Sequence, residues 1–106
     1  MIEFTEGIYN FYVYILTNKN RTVLYTGVTN NLHRRLNEHF NNHNPQSFTS
    51  KYGTKYLIYY QKFGWIQLAI EREKEIKNLS REKKLKLIRE INPNLEFLND
   101  LFNYKI

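Results

Sequence analysis

Five side chains of this chain have the types that phosphodiester cleavage needs. Tyr14 and Tyr25 carry phenols that could activate or position an attacking water, and Arg35 carries a cation for a phosphate. His39 follows Arg35 by four residues and could move a proton, because the ordinary pKa of histidine lies near neutrality. Glu73 could bind a divalent metal through hard carboxylate oxygens. We therefore look for a fold that brings these five residues together.

Each of these residues also has a purely structural interpretation. Tyr14 can be an ordinary strand aromatic, since strands favour such residues. Arg35 and His39 can lie at the rim of the core with only their polar ends in water. Glu73 can form a partly buried ion pair with an arginine or a lysine.

Local sequence signals predict the order strand, strand, helix, strand, helix, helix. This order indicates an α+β fold, ββαβαα, with a small, mainly antiparallel three-stranded sheet flanked by helices. The strands are predicted at Phe11–Thr17, 22–26 and 56–61, with Gly27 just after the second. The helices are predicted from a cap at Asn30 or Asn31 to residue 39 or 40, from 66 to about 79, and over Arg81–Ile91 after a cap at Ser80, with a last helical turn within 95–102.

The first predicted helix places Arg35 and His39 beside its apolar face. Leucines at positions 32 and 36 and Phe40 recur four residues apart and mark the buried side. Arg35 and His39 repeat the same spacing, offset by one residue, so they lie near the protein body. The neighbours expected to point outward are Arg34, Asn37 and Glu38.

The second predicted helix carries Glu73 within its core stripe. The residues expected to form this stripe are Ile66, Ala69, Ile70, Ile76 and Ser80. A carboxylate at such a position needs a partner, because burying it unpaired is costly. On the first strand, the period of two places Tyr12 and Tyr14 on one face.

Composition restricts the class of protein. The 106 residues suit a single domain, 1–106, with a core over about 11–101. The net charge of +6 favours a polyanion such as nucleic acid, although it equally suits anionic lipid or plain solubility. The absence of cysteine excludes disulfides and thiolate metal sites. Without an apolar leader or a spanning apolar stretch, we expect a cytoplasmic protein with no membrane partner.

Two further groups of residues have types that could bind a metal or DNA. His33, His39 and His43 do not share one helix face, which argues against a three-histidine zinc site. Lys83 and Lys84 belong to a basic run that is either a solvated helix face or part of a DNA-binding surface.

Read in order, the candidate residues resemble the GIY-YIG nuclease family. The resemblance covers about residues 11–101 and points to the small single-domain branch, which is related to the nuclease module of bacterial excision repair and to some intron-encoded homing endonucleases. The segments that carry it are Tyr12-Val13-Tyr14-Ile15-Leu16, residues 24–32 with Tyr25-Thr26-Gly27, then Arg35 and His39, residues 69–77 around Glu73, Ser80-Arg81-Glu82-Lys83-Lys84, Leu87-Ile88 and Asn92-Pro93.

The literal string Gly7-Ile8-Tyr9 is a misleading match to the family's name. Tyr9 lies sixteen residues before Tyr25, whereas Tyr14 lies eleven before it, which suits a short hairpin and the family pattern. We therefore assign the first family tyrosine to Tyr14 and the second to Tyr25. Both triplets depart from the name-giving letters but keep the final tyrosine and the final glycine.

The resemblance implies a role for each candidate. Glu73 would coordinate one Mg²⁺ or Mn²⁺, and Arg35 would hold the scissile phosphate. Tyr14 would act as general base on the attacking water or position it, with Tyr25 in the same network, while His39 would assist proton transfer or orient a tyrosine. Free tyrosine titrates near pH 10, so a tyrosine base needs help from the metal or from Arg35. Asn92 would contact a phosphate.

The resemblance thus implies a metal-dependent endonuclease that hydrolyses DNA, in repair or recombination. Two other classes stay open. One is a nucleic-acid-binding module that keeps the fold without cleaving, and the other is an adaptor recruited by a larger repair or mobile-element protein. The sequence leaves the oligomeric state and the preferred DNA undetermined.

Overall fold

The computed structural model describes residues 10–41 and 52–102, and for residues 40 and 41 only the backbone. Within these ranges the order of elements is ββαβαα, which confirms the predicted α+β fold. The elements are β1 Phe11–Thr17, β2 Leu24–Thr29, α1 Leu32–Asn41, β3 Tyr56–Phe63, α2 Ile66–Lys77, α3 Arg81–Ile91 and a short 3₁₀ helix, Asn99–Phe102.

The three strands form an antiparallel sheet in the order β2-β1-β3. The central strand, β1, places Tyr14 opposite Gly27 on one side and opposite Tyr60 on the other. An irregularity between Ile15 and Leu16 shifts the register against β3 by one residue. Tyr14 is therefore at the centre of the sheet, with both neighbouring strands beside it.

The two faces of β1 pack against different helices. Val13 and Ile15 contact a cluster that includes Ala69 and Ile76 of α2 and Ile88 of α3. Tyr12, Tyr14 and Leu16 face the opposite way, against Leu32 and Leu36 of α1 and Leu57 of β3. The alternation along β1 therefore places the tyrosines on the α1 face, as the period of two predicts.

Side-chain caps fix the starts of two helices. Asn31, one of the two predicted caps, accepts a hydrogen bond from the Arg34 amide at 3.0 Å. Ser80 accepts one from the Lys83 amide at 3.2 Å, as predicted. These caps satisfy amides in the first turns of the two helices and define where α1 and α3 begin.

The second strand differs from its predicted range of 22–26. It begins at Leu24, because the Asn18 side chain binds the amides of Thr22 and Val23 at 2.7 and 3.1 Å and keeps them in the turn. It also continues to Thr29, so Gly27 lies inside the strand and not after it.

The predicted core stripe of α2 is partly wrong. Ala69 and Ile76 are fully buried, but Ile66 and Ile70 are each 36% exposed and Ser80 is an exposed cap. Ile66 and Ile70 lie toward one edge of the helix, where no neighbouring element covers them completely. Across the described ranges, no helix is long and apolar enough to cross a bilayer.

Candidate active site

Tyr14 is buried on the α1 face of the sheet, directly over Gly27. Its side chain is only 1% exposed, and its hydroxyl lies 3.2 Å from Nε2 of His39 on α1. A Cβ at position 27 would lie 2.5 Å from the Tyr14 hydroxyl oxygen and 2.6 Å from its Cζ. The glycine thus leaves the space that the phenol fills, because a glycine has no Cβ to occupy it.

Tyr25 completes a cluster of three rings. Its ring centroid lies 5.6 Å from that of His39, edge to face, and 6.4 Å from that of Tyr14. The Tyr14 and His39 rings are 6.0 Å apart. Tyr25 lies on edge strand β2 and is partly exposed, whereas His39 is only 8% exposed.

Burial keeps both members of the Tyr14–His39 pair uncharged near neutral pH. Desolvation raises the pKa of Tyr14 well above its ordinary value, with smaller increases from Tyr25 and from the negative charges of Glu73 and Glu38, while Arg35 opposes them. Desolvation also lowers the pKa of His39 to about 4, and the Arg35 charge lowers it further against the opposing effect of Glu38. The neutral imidazole can accept from the phenol or donate to it, according to which ring nitrogen carries the proton.

Arg35 has a buried donor that lacks a hydrogen-bond acceptor among the described residues. Its Nε is shielded from solvent, and Oε1 of Glu38 lies 3.7 Å from it, beyond hydrogen-bond distance. The side chain as a whole is 37% exposed. An unsatisfied buried donor is costly, and a phosphate oxygen is an acceptor that would satisfy it.

Glu73 projects from α2 and is mostly shielded, with 16% of its side chain exposed. Its carboxylate lies 3.5 Å from Nζ of Lys77, one turn further along the helix. The structural interpretation of Glu73, an ion pair, is therefore present in the fold. Lys77 is 52% exposed, so the pair adds little stability and the lysine can swing into water. The negative charge of Glu73 makes a small contribution to the raised pKa of Tyr14.

The described residues contain no group of three or more histidines, cysteines, aspartates or glutamates that could enclose a metal. This donor set does not fit a closed zinc site. It fits Mg²⁺ or Mn²⁺ held by one carboxylate, since Mg²⁺ keeps several waters and takes one or two carboxylates beside a substrate phosphate.

The remaining predicted contacts are not brought into this cluster. The Asn92 amide donates to the carbonyls of Ile58 and Glu96, both at 2.9 Å, and accepts from the Glu96 amide, so both of its donor hydrogens are used within the fold. Lys83 and Lys84 lie on α3, which packs on the sheet face opposite to Tyr14. Tyr9 and His43 lie outside the described residues.

Sequence reasoning missed one residue beside the candidate site. Ile66, expected in the core, lines a cavity of about 240 Å³ together with Arg35. The signal was available, because Ile66, Ile70 and Glu73 are spaced to share one side of a helix. The periodicity alone predicts a core face, whereas in the structure Ile66 borders Arg35 at the edge of the helix.

Comparison with known proteins assigns this arrangement to a family. The family model for the GIY-YIG catalytic domain matches residues 10–86, which is most of the chain and includes all five candidates. The chain belongs to the GIY-YIG family. The matched range begins at Asn10, after the literal Gly7-Ile8-Tyr9 string. GIY-YIG domains form a nuclease family, so membership implies a nucleic acid as the class of substrate.

Similar proteins cover most of this GIY-YIG chain. A UPF0213 protein of Clostridium perfringens is 44% identical over 77 residues, which are 73% of this chain and 81% of that protein. One from Staphylococcus saprophyticus is 39% identical over 79 residues, 74% of this chain and 94% of that protein. The solution NMR structure of a UPF0213 protein from Bacillus halodurans has a TM-score of 0.54 and 33% identity, with 86% of this chain and 93% of that chain covered. The names of these relatives state no activity.

Proposed function

We propose that this protein is a metal-dependent endonuclease that hydrolyses phosphodiester bonds of DNA. The observation that carries the proposal is the buried Tyr14–His39 hydrogen bond, with Tyr25 packed against the histidine and the charges of Arg35 and Glu73 acting on the same phenol. The net charge of +6 supports a polyanionic substrate. A function in repair or recombination rests on the family resemblance alone.

Glu73 is the residue that would hold the cation, Mg²⁺ or Mn²⁺. When bound, the metal would stabilise negative charge that develops on the leaving oxygen. The carboxylate is positioned by α2, whose buried Ala69 and Ile76 fix the helix against the sheet. Binding requires only that the half-exposed Lys77 release its ion pair.

Arg35 would hold the scissile phosphate. Its charge is permanent, and its buried Nε is without an acceptor in the described part of the chain. A phosphate oxygen would supply that acceptor and, in turn, the guanidinium would offset charge in the transition state.

The rings of Tyr14, Tyr25 and His39 would position the water that attacks the phosphate. Of the two roles that the family resemblance gives Tyr14, its burial and raised pKa favour positioning over acting as the base itself. Tyr25 is the more exposed phenol and is better placed to meet a water. Of the two roles that the resemblance gives His39, its pKa of about 4 favours orienting Tyr14 through their hydrogen bond, because an imidazole with so low a pKa is a weak proton acceptor at neutral pH.

A non-catalytic nucleic-acid-binding module is the second candidate. One observation favours it: the Glu73–Lys77 ion pair at 3.5 Å gives the carboxylate a structural purpose without any metal. In that case, or for an adaptor bound to a larger repair or mobile-element protein, Glu73 would not need to bind a cation.

A matched pair of glutamates on α2 separates these functions. We expect Glu73→Ala to lose Mg²⁺-dependent cleavage while DNA binding survives or tightens, because a negative charge near the phosphate is removed. Glu75→Ala is the control, since Glu75 is 63% exposed and pairs with Arg72. It should retain both properties.

The assay follows cleavage of single-stranded, duplex, nicked and branched DNA after addition of Mg²⁺ or Mn²⁺, beside DNA affinity without metal. Cleavage by Glu73→Ala at the unaltered rate would make Glu73 an ion-pair partner only. DNA binding without cleavage of any substrate by the unaltered protein would replace the endonuclease with the binding module.

A further inference from the structure

The cavity beside Arg35 lies at the junction of four elements. Its lining residues are Phe11 of β1, Val28 and Thr29 of β2, the following Asn30, Arg35 of α1 and Ile66 of α2. Its volume of about 240 Å³ is below the range of about 300–1,000 Å³ that holds drug-sized ligands, which suits one flat ring system.

The chemistry of this lining differs from that of a phosphate site. Phe11, Val28 and Ile66 supply apolar walls, while Thr29 and Asn30 add polar atoms at the end of β2. A phosphate needs donors on several sides, and among the described residues that line the cavity Arg35 alone is charged. A nucleobase, by contrast, presents apolar faces to such walls and acceptor atoms to a guanidinium.

Ile66 makes this cavity an open site. At 36% exposure it is one of the large apolar side chains on the surface, and Ile70 continues the exposed edge toward Glu73. The exposed apolar edge therefore runs from the Arg35 cavity to the carboxylate. A substrate strand whose phosphate lies between Arg35 and Glu73 would bring the neighbouring nucleotide against Ile66.

We propose that this cavity binds one unpaired nucleobase of the substrate strand, adjacent to the phosphate held by Arg35. The inference rests on the proposed binding of DNA at this site and extends it to the class of substrate. A base paired within a duplex is stacked on both faces and cannot enter, so the preferred substrate has a single-stranded or extruded base next to the scissile bond.

The test is an abasic scan in metal-free buffer, so that binding is measured without cleavage. The probe is a hairpin duplex with a short single-stranded thymidine extension, whose junction fixes the register, compared with the same molecule carrying one abasic residue at each position of the extension in turn. We expect one position at which loss of the base weakens binding about tenfold, which corresponds to about 1.4 kcal/mol. A flat scan would overturn the proposal.

Two variants on α2 locate the effect. Ile66→Trp fills the cavity, so it should weaken binding of the intact strand and abolish the abasic effect. Leu68→Trp makes a similar change at a site 49% exposed, on a surface with Trp65 and Gln67 that does not include Arg35, and should keep the abasic effect. If Ile66→Trp fails to fold, Ile66→Phe and Leu68→Phe carry the same comparison. An abasic effect that persists when the cavity is filled contradicts the assignment.

Cleavage is measured separately with Mg²⁺. An abasic effect in a protein that never cleaves keeps the base site and removes the endonuclease proposal. Cleavage together with an abasic scan that shows no position effect keeps the endonuclease proposal and removes the base site.

Discussion

Replacement of Gly27 by alanine should damage the candidate site although it replaces none of the five candidate residues. The new Cβ would lie 2.5 Å from the Tyr14 hydroxyl oxygen and 2.6 Å from Cζ, closer than real contacts of this type allow. Tyr14 cannot move aside easily, because its side chain is buried between α1 and the sheet. The ring must shift, and the hydrogen bond to His39 must lengthen or break.

The expected cost combines three effects. Overpacking a buried site costs about 1–3 kcal/mol. Loss of the Tyr14–His39 hydrogen bond adds about 1 kcal/mol. Against these losses, alanine adds about 0.4–1 kcal/mol to the free energy of unfolding, because it lowers the conformational entropy of the unfolded chain. The net loss is about 2 kcal/mol, which lowers Tm by about 10 °C for a domain of this size.

Gly64→Ala is the matched control. A Cβ at Gly64 meets nothing within 4 Å, and its φ lies outside the left-handed region, so its stability should stay equal or rise slightly. Thermal and urea unfolding of both variants give the comparison, and the cleavage rate is read well below both midpoints. Tyr14→Phe in the Gly27→Ala background should rescue only part of the loss, because Cζ remains at 2.6 Å. Equal stability of Gly27→Ala and Gly64→Ala would refute the close approach.

Three further predictions concern the site and its surroundings. Tyr14→Phe should lower the cleavage rate at least tenfold, or about 1.4 kcal/mol of barrier, while Tyr9→Phe leaves it unchanged; the reverse ranking would show that the tyrosine assignment is wrong. Replacing Lys83 and Lys84 with alanine should weaken DNA affinity and reduce its salt slope by roughly one unit per lost phosphate contact, whereas an unchanged slope would make them a solvated face. The pKa of His39 is about 4 in the folded protein and about 6.5 in the unfolded chain, so the unfolded state binds the proton first when the pH falls from about 6.5 to 4. The free energy of unfolding should therefore decrease over that range. In His39→Gln, the free energy of unfolding measured with urea should depend less on pH between about 6.5 and 4.

Elements with strong local signals could be predicted from the sequence. The aromatic and β-branched run of β1 gives Phe11–Thr17, and the Ser80 cap with Pro93 brackets Arg81–Ile91, both as the structure has them. The start of β2 could not be predicted from the sequence, because it depends on which backbone amides donate to the Asn18 side chain and not to the neighbouring strand. The exposure of Ile66 and Ile70 could not be predicted either. The helical period shows which residues share one side of the helix, but it does not show which part of that side another element covers.

The candidate site likewise has features that the local sequence predicts and contacts that depend on the tertiary fold. Residue types and helix spacing predict Arg35 and His39 on the inner side of α1 and Glu73 within the core stripe of α2, where the structure leaves 16% of its side chain exposed. The contact between Tyr14 and His39 joins residues 25 apart, so it depends on how α1 crosses the sheet. The internal hydrogen bonds of Asn92 likewise link it to β3 and to the following loop, which no local pattern reveals.

The distribution of charge explains how such a site can be built in a small core. Tyr14 and His39 are both buried, and burial shifts their pKa values in opposite directions, each toward the neutral form. The centre of the cluster therefore contains no charge that the fold must solvate. The ions, Arg35 and Glu73, sit further out, with 37% and 16% of their side chains exposed. A substrate phosphate would approach from this outer side, where it meets the charged groups first, and the neutral pair behind them would hold Tyr25 in position.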